Sequence, residues 1–276
     1  MTEVISPLRV SVFVAPKNGS SSAECEDSVG IMRDRMRFCV TDGATEAFDS
    51  RHWARLLTKS WSLTPGAVTS QRQFEEWLPA VGDRFHARWE GKKLSWYSEE
   101  KSRAGAFAAF AGLVFESDGE SDGESDGESD GRSLRWTAAV LGDSCLFRLT
   151  RNGVLSGTIP DVSGVGFHFR PTLLPSKRSL QPDAVSHMLF GAGTVDEGDV
   201  FFLLTDAIAI WYARMLQDDP VVARRFDAMM GDGCQTEVED LIRRERTRGT
   251  LHNDDIAIIR IECAGKGGGR STPPGK

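Results

Sequence analysis

Two Thr-Asp pairs, each closing an apolar run, are the residues of this sequence best placed to do chemistry. They are Phe38-Cys39-Val40-Thr41-Asp42-Gly43 and Phe201-Phe202-Leu203-Leu204-Thr205-Asp206. Runs of this kind read as strands buried on one or both faces, and an acid at the end of such a strand can point out of the sheet edge into a site. Glu26-Asp27 precedes the short stretch Ser28 to Met32, and Asp254-Asp255 precedes Ile256 to Ile261, so two more acidic points are tied to strands. Clustered carboxylates repel one another and call for cations, and hard oxygen ligands favour Mg²⁺ or Mn²⁺. Acids that hold two cations roughly 3.5–4 Å apart can orient and acidify a water and neutralise charge on a transferring phosphoryl group. Gly43 allows a sharp turn and can expose its carbonyl as a ligand. Each acid also has a plainer role: a turn cap at Asp27, a turn dipeptide at Asp42-Gly43, a helix N-cap at Asp206, a turn before the last strand at Asp254-Asp255. The metal reading rests on all four occurring in order at strand junctions.

The elements that must position these acids follow from periodicity. Leu8 to Ala15 reads as a first strand, and Val29 to Met32 and Met36 to Thr41 as two strands joined by Arg33-Asp34-Arg35. A helix is expected from about Ser50 to Trp61. A second helical stretch, Gln71 to Trp89, is expected to be interrupted near Pro79, its Phe74, Trp77, Phe85 and Trp89 covering a sheet rather than stacking on a ligand. Glu99 to Val114 reads as a helix end running into a central strand. Trp136 to Leu141, Cys145 to Leu149, Val200 to Leu204 and Ile256 to Ile261 are strands; Ala207 to Leu216, Phe226 to Met230 and Val238 to Arg246 are helical.

At 276 residues with 40% hydrophobic and 26% charged residues, the composition is that of one soluble globular domain. A net charge of −7 argues against a nucleic-acid backbone as the main partner. The five cysteines form no CxxC pair, which suggests neither a disulfide framework nor a zinc site. No signal peptide or membrane-length run is read in the sequence, so a cytoplasmic, reduced, monomeric protein is expected. Glu116 to Gly131 is four copies of Glu-Ser-Asp-Gly. An EF-hand reading of it fails, because the twelfth position is Ser129 or Ser133 instead of Glu. It reads as an acidic extension of a loop between two strands.

Glu26-Asp27-Ser28, Thr41-Asp42-Gly43-Ala44, Gly142-Asp143-Ser144, Leu204-Thr205-Asp206-Ala207 and Asn253-Asp254-Asp255-Ile256, in this order and spacing, resemble the motifs of the metal-dependent protein phosphatases of the 2C type, in a bacterial branch. The resemblance implies an α+β fold, a four-layer αββα sandwich of two central, mainly antiparallel β-sheets flanked by helices. A single domain of this kind is expected at residues 1–263, with the repeat loop at 116–131; the Gly/Pro/Lys-rich tail at 264–276 is expected to be disordered from its composition. The resemblance also implies phosphoserine and phosphothreonine hydrolysis by direct attack of a metal-bridging hydroxide, with two Mn²⁺ or Mg²⁺ ions and a weaker third. Asp27 would bind a metal, Asp42 would bridge both, the Gly43 carbonyl would complete one sphere, and Asp206 and Asp254 would hold the other ion. Asp143, with Asp206, matches the third-metal position. Asp255 stands where many relatives have Asn. The implied partners are a phosphorylated protein and a Ser/Thr kinase or its target, with neither nucleic acid nor membrane.

Two departures qualify the resemblance. Many relatives carry an Arg five residues before the first metal Asp, where it can hold the substrate phosphate; here that position is Ser22, and the Asp206 motif reads Asp-Ala instead of Asp-Gly. Lys17 is the first substitute for the phosphate contact and Arg33 the reserve, although a Lys beside Asn18-Gly19 is usually a solvated turn residue. His168, Arg170, Lys177 and Arg178 lie in the stretch Gly157 to Pro182, which has the irregular character of the family's variable flap. The alternatives are a catalytically weakened binding or regulatory module and a small-molecule phosphomonoesterase.

Overall fold

The apolar runs fold as central strands whose alternate residues face opposite layers, as a period of two requires. In the computed structural model, which describes residues 2–5, 8–117, 134–162 and 171–264, the elements follow in chain order. They are β1 (Thr2–Ile5), β2 (Leu8–Ala15), β3 (Ser28–Met32), β4 (Arg37–Gly43), α1 (Ser50–Leu63), α2 (Gln71–Ala87), α3 (Trp96–Ala104), β5 (Phe107–Ser117), β6 (Leu134–Leu141) and β7 (Cys145–Leu149). There follow β8 (Leu155–Ile159), β9 (Leu174–Pro175), α4 (Gln181–Ser186), β10 (Leu189–Thr194), β11 (Val200–Leu204), α5 (Asp206–Asp218), α6 (Pro220–Asp232), α7 (Gln235–Arg248) and β12 (Ile256–Cys263).

One sheet runs β1-β2-β12-β11-β7-β8 and the other β10-β6-β5-β4-β3, with β9 added beside β5. Neighbours within each sheet pair antiparallel. Phe201 and Leu203 of β11, Ala257, Ile259 and Ile261 of β12, and Phe38 and Val40 of β4 fill the space between the sheets. The alternate residues Phe202, Leu204, Ile256 and Ile258 face the other way, onto Trp211, Tyr212, Phe226 and Leu241 of α5, α6 and α7. Cys39 and Phe110 turn outward from the second sheet onto Trp53 and Trp61 of α1 and Phe74 of α2. The result is the expected αββα sandwich.

Several elements differ from the sequence expectation. α2 runs unbroken through Pro79. A helix-interior proline costs about 3 kcal/mol, but Phe74, Leu78, Val81 and Phe85 are buried on both sides of it, each contributing about 1.5–3 kcal/mol. β1, α4 and β10 were not expected. β10 reads Leu-Phe-Gly-Ala-Gly-Thr, a weak strand pattern. Its glycines make room for the Trp136 ring of β6: a Cβ would sit 3.2 Å from that ring at Gly191 and 2.9 Å at Gly193. The repeat lies outside the described residues except for Glu116 and Ser117, which extend β5 and pair with Arg135 and Leu134 of β6. The tail from residue 265 also lies outside them. Among the described residues no helix is long and apolar enough to cross a membrane.

Candidate active site

Antiparallel pairing gathers the sequence-predicted acids at one end of both sheets. Ser28 opposes Thr41, so the next residues outward are Asp27 and Asp42. β11 ends at Leu204, opposite Ile258 of β12 and Cys145 of β7, which puts Asp206, Asp254 and Asp143 at the ends of three neighbouring strands. Ala15 opposes Ile256, so the chain leaving β2 passes the same end. At Gly43 a Cβ would lie 2.9 Å from the Ser50 backbone and 3.2 Å from the Glu26 carbonyl. Only glycine lets the start of α1 approach this closely.

The threonine of each Thr-Asp pair is fully buried and ties the strand end to its surroundings. The Thr41 hydroxyl donates to the Ala54 carbonyl (3.1 Å), and the Thr205 hydroxyl accepts from the Ala257 amide (2.9 Å). Thr205 also reaches across to the buried carboxyl of Asp27. Glu26 accepts from the Thr45 and Ser50 hydroxyls, each at 2.6 Å. Asp255 is a latch: its two oxygens accept the amides of Lys17 (2.8 Å) and Glu26 (2.7 Å), which pins the loop between β2 and β3 to the start of β12. Asn253 accepts the Asn18 amide (2.8 Å), and the Arg246 guanidinium donates to the carbonyls of Pro16 and Asp254. Thr205 and Arg246 had no assigned role in the sequence reading, and Asp255 was expected only as part of a turn before the last strand. The repeated Thr before Asp was the available signal for Thr205, the acidic pair before the last strand for Asp255, and nothing in the sequence spacing flags Arg246.

The acids perturb one another. Burial is the first cause in each case, because it disfavours the charged form. It pushes the Asp27 carboxyl well up, with the charges of Asp206 and Asp255 adding and the Thr205 hydroxyl and Asp42 opposing. Asp42 is likewise pushed well up, by burial and then by Asp27, Asp206, Asp143 and Asp254. Asp206 rises to about 6 through burial and then Asp143 and Asp254, against the Ala207 amide and His252. Asp143 also rises, by burial and Asp254. Asp42, Asp143 and Asp254, though not Asp27 or Asp206, line a cavity of about 210 Å³ together with Glu26 and Asp255, with Gly43, Ala44, Thr45, Pro171 and Leu173 completing the wall.

Two observations bear on a metal. Asp27 Oδ2 is buried without a hydrogen-bond partner, and the side chains around it offer hard oxygen donors, so the donor set suits Mg²⁺ or Mn²⁺. Against this, among the described residues no three His, Cys, Asp or Glu side chains are drawn together closely enough to hold an ion as a preformed cluster.

The expected substrate cations divide. Lys17 lies at the site, with Nζ 3.9 Å from Asp254 Oδ1 and 4.0 Å from Glu26 Oε2. Arg33 does not: it follows Met32 at the far end of the β3–β4 hairpin, about 17 Å from Asp27 by the rise of a five-residue strand. Pairing direction corrects that expectation, since the turn joining two antiparallel strands lies opposite their free ends. Lys177 donates to the Arg103 carbonyl (2.6 Å) and Arg178 faces Asp83 (3.9 Å). His168 and Arg170 lie outside the described residues.

Solved structures share this architecture. The catalytic domain of the serine threonine protein phosphatase PstP in complex with 2 manganese ions matches with a TM-score of 0.54 at 14% identity, over 94% of this chain and 99% of that one. The Mycobacterium tuberculosis serine/threonine phosphatase PstP/Ppp gives 0.55 at 13%, over 94% and 99%. RsbX in complex with magnesium gives 0.53 at 15%, over 96% and 99%. No protein-family model and no curated protein matches the sequence. The chain has the fold of the 2C-type phosphatases.

Proposed function

We propose that the chain is a metal-dependent phosphomonoester hydrolase of the 2C type, acting in the cytoplasm, with phosphoserine and phosphothreonine in proteins as its substrate class. The observation that carries this reading is the convergence of Asp27, Asp42, Asp206, Asp143 and Asp254 on one end of the sandwich, where they perturb one another and where Asp42, Asp143 and Asp254 line a cavity. Asp27, Asp42, Asp206 and Asp254, with the Gly43 carbonyl, would hold two Mn²⁺ or Mg²⁺ ions, and Asp143 with Asp206 a weaker third. Cations bound there supply an acidified water and neutralise phosphoryl charge. The protein's own part is positional. Thr41 and Thr205 fix the two strand ends, Asp255 fixes the loop that carries Glu26 and Asp27, and Pro171 and Leu173 give the cavity an apolar wall. Asp206, raised to about 6 with no cation present, would hold a cation as its carboxylate, so binding would favour loss of its proton.

A second reading, a binding or regulatory module on the same fold, is favoured by the lack of a preformed acid cluster among the described residues and by the Lys17 ammonium beside Asp254. The two readings part on one experiment: p-nitrophenyl phosphate, then phosphoserine and phosphothreonine peptides, with Mn²⁺, Mg²⁺ or EDTA. Hydrolysis that needs the metal and extends to the peptides supports the protein phosphatase. Hydrolysis confined to the small ester narrows the substrate class. Phosphopeptide binding without turnover supports the module.

A further inference from the structure

The acid cavity lacks a cation in its lining among the described residues, yet a phosphate monoester is a dianion at neutral pH and must approach through a field set by Glu26, Asp42, Asp143 and Asp254. Lys17 supplies positive charge at the mouth. Its side chain is 30% exposed, and its ammonium stands at the loose limit of an ion pair with both Glu26 and Asp254. Partly exposed pairs at such distances are weak and exchange partners readily. The backbone beneath it is fixed: the Lys17 amide is held by Asp255, the next amide by Asn253, and the preceding carbonyl by Arg246. A fixed stem with a loosely paired head suits a group that must reach a ligand and return.

Among the described residues, two arginines near this end are engaged elsewhere, and His252, with Nδ1 3.9 Å from Asp254 Oδ2, is a cation only when protonated. Arg246 donates to the Pro16 and Asp254 carbonyls, and Arg51 donates to the Ala23 carbonyl on the outer side of the loop. We propose that Lys17 is the phosphate-binding cation of this site, held in reserve by Glu26 and Asp254 and transferred to the phosphoryl oxygens when an ester enters. The assignment rests on the phosphomonoester reading for its substrate. It also implies that the ammonium and a divalent cation compete for Asp254. An ammonium is a point charge with three rotatable donors, so it orients a phosphoryl group less rigidly than a guanidinium fork.

The test titrates inorganic phosphate against wild type, Lys17→Met and Lys17→Arg in the presence of Mn²⁺. It reads the phosphate-induced shift in melting temperature and the inhibition of p-nitrophenyl phosphate hydrolysis, with Mn²⁺ affinity measured by calorimetry on the same proteins. Loss of one charge-assisted contact is expected to raise the phosphate dissociation constant about tenfold or more in Lys17→Met. Mn²⁺ affinity should be unchanged or tighter, and Lys17→Arg should recover most of the phosphate affinity. An unchanged phosphate constant in Lys17→Met overturns the inference. So does a loss matched by an equal loss of Mn²⁺ affinity, or a wild type that binds no phosphate. Wild type that binds phosphate in a Lys17-dependent way but hydrolyses no ester removes the hydrolase reading and leaves this assignment standing.

Discussion

At Asp206 two electrostatic influences oppose each other. It is the first residue of α5, where the helix dipole and the Ala207 amide favour the carboxylate, but burial and the charges of Asp143 and Asp254 outweigh them and raise its pKa to about 6. The sign of the pH dependence follows. Below the ordinary carboxyl pKa near 4 both folded and unfolded chains hold the proton, and Asp206 contributes nothing to their difference. Between there and about 6 the unfolded chain ionises while the folded one retains its proton, so stability falls as pH rises. Above that window both are ionised and the full loss, about 3 kcal/mol, remains. Asp27 and Asp42, also raised, add to the fall in the same direction. Thermal melts of the EDTA-treated protein should therefore show a melting temperature that declines from pH 4 towards 7, and Mn²⁺ should restore it increasingly over the same range. A metal-free melting temperature that rises across this range would contradict the assignment of these shifts. Asp42→Asn keeps the shape and removes one of the charges. It should raise the metal-free melting temperature at pH 7–8, with the difference vanishing near pH 4, and should lower Mn²⁺-dependent turnover at least about a hundredfold. Parallel melts and hydrolysis rates check both halves.

The elements are held in place by contacts that a residue pattern only partly discloses. Asp255 accepts two amides from a loop more than 200 positions earlier in the chain, at 2.8 and 2.7 Å. Asp255→Ala should destabilise the protein by about 2–4 kcal/mol, since two bonds to a charged acceptor are lost and two amides are left to find water. Urea unfolding measures this, and a change below about 0.5 kcal/mol would show that the loop is held by other contacts. Strand periodicity was legible: Cys145–Leu149 and Val200–Leu204 fall where the apolar pattern put them, because both faces of each strand are covered. β10 was not, because its two glycines answer to the Trp136 ring on a neighbouring strand, and no local pattern carries that information. Pro79 misled in the other direction, as buried side chains on either side of it outweigh a local helix breaker. The gathering of the acids at one sheet end could be read from their places at strand ends, and the position of Lys17 beside them from its nearness in the chain to Glu26-Asp27. The misplacement of Arg33 is a matter of direction: nearness in sequence to Asp27 becomes distance once β3 is laid out as a strand.

In the molecule as a whole, the two sheets present their acid-bearing ends together, while β5 leads away from them to Glu116 and Ser117, the first residues of the repeat. Phe107 begins β5 near the acids and Ser117 ends it, about 35 Å along an 11-residue strand. Replacing residues 118–131 with a short Gly/Ser turn should shift the melting temperature by no more than about 3 °C, because loop-closure entropy varies slowly with length. It should also leave hydrolysis unchanged. Loss of folded protein on that replacement would show that the repeat contributes to the core. The fold, the shared sheet end and the mutual perturbation of the acids together make one claim, that this end of the sandwich is a divalent-cation site. Calorimetric titration of Mn²⁺ into wild type and Asp42→Asn at pH 7 tests that claim most directly. Saturable binding by wild type, accompanied by proton release, and loss of most of that binding in Asp42→Asn are expected. No binding by wild type at millimolar Mn²⁺, or equal binding by both proteins, would contradict the claim.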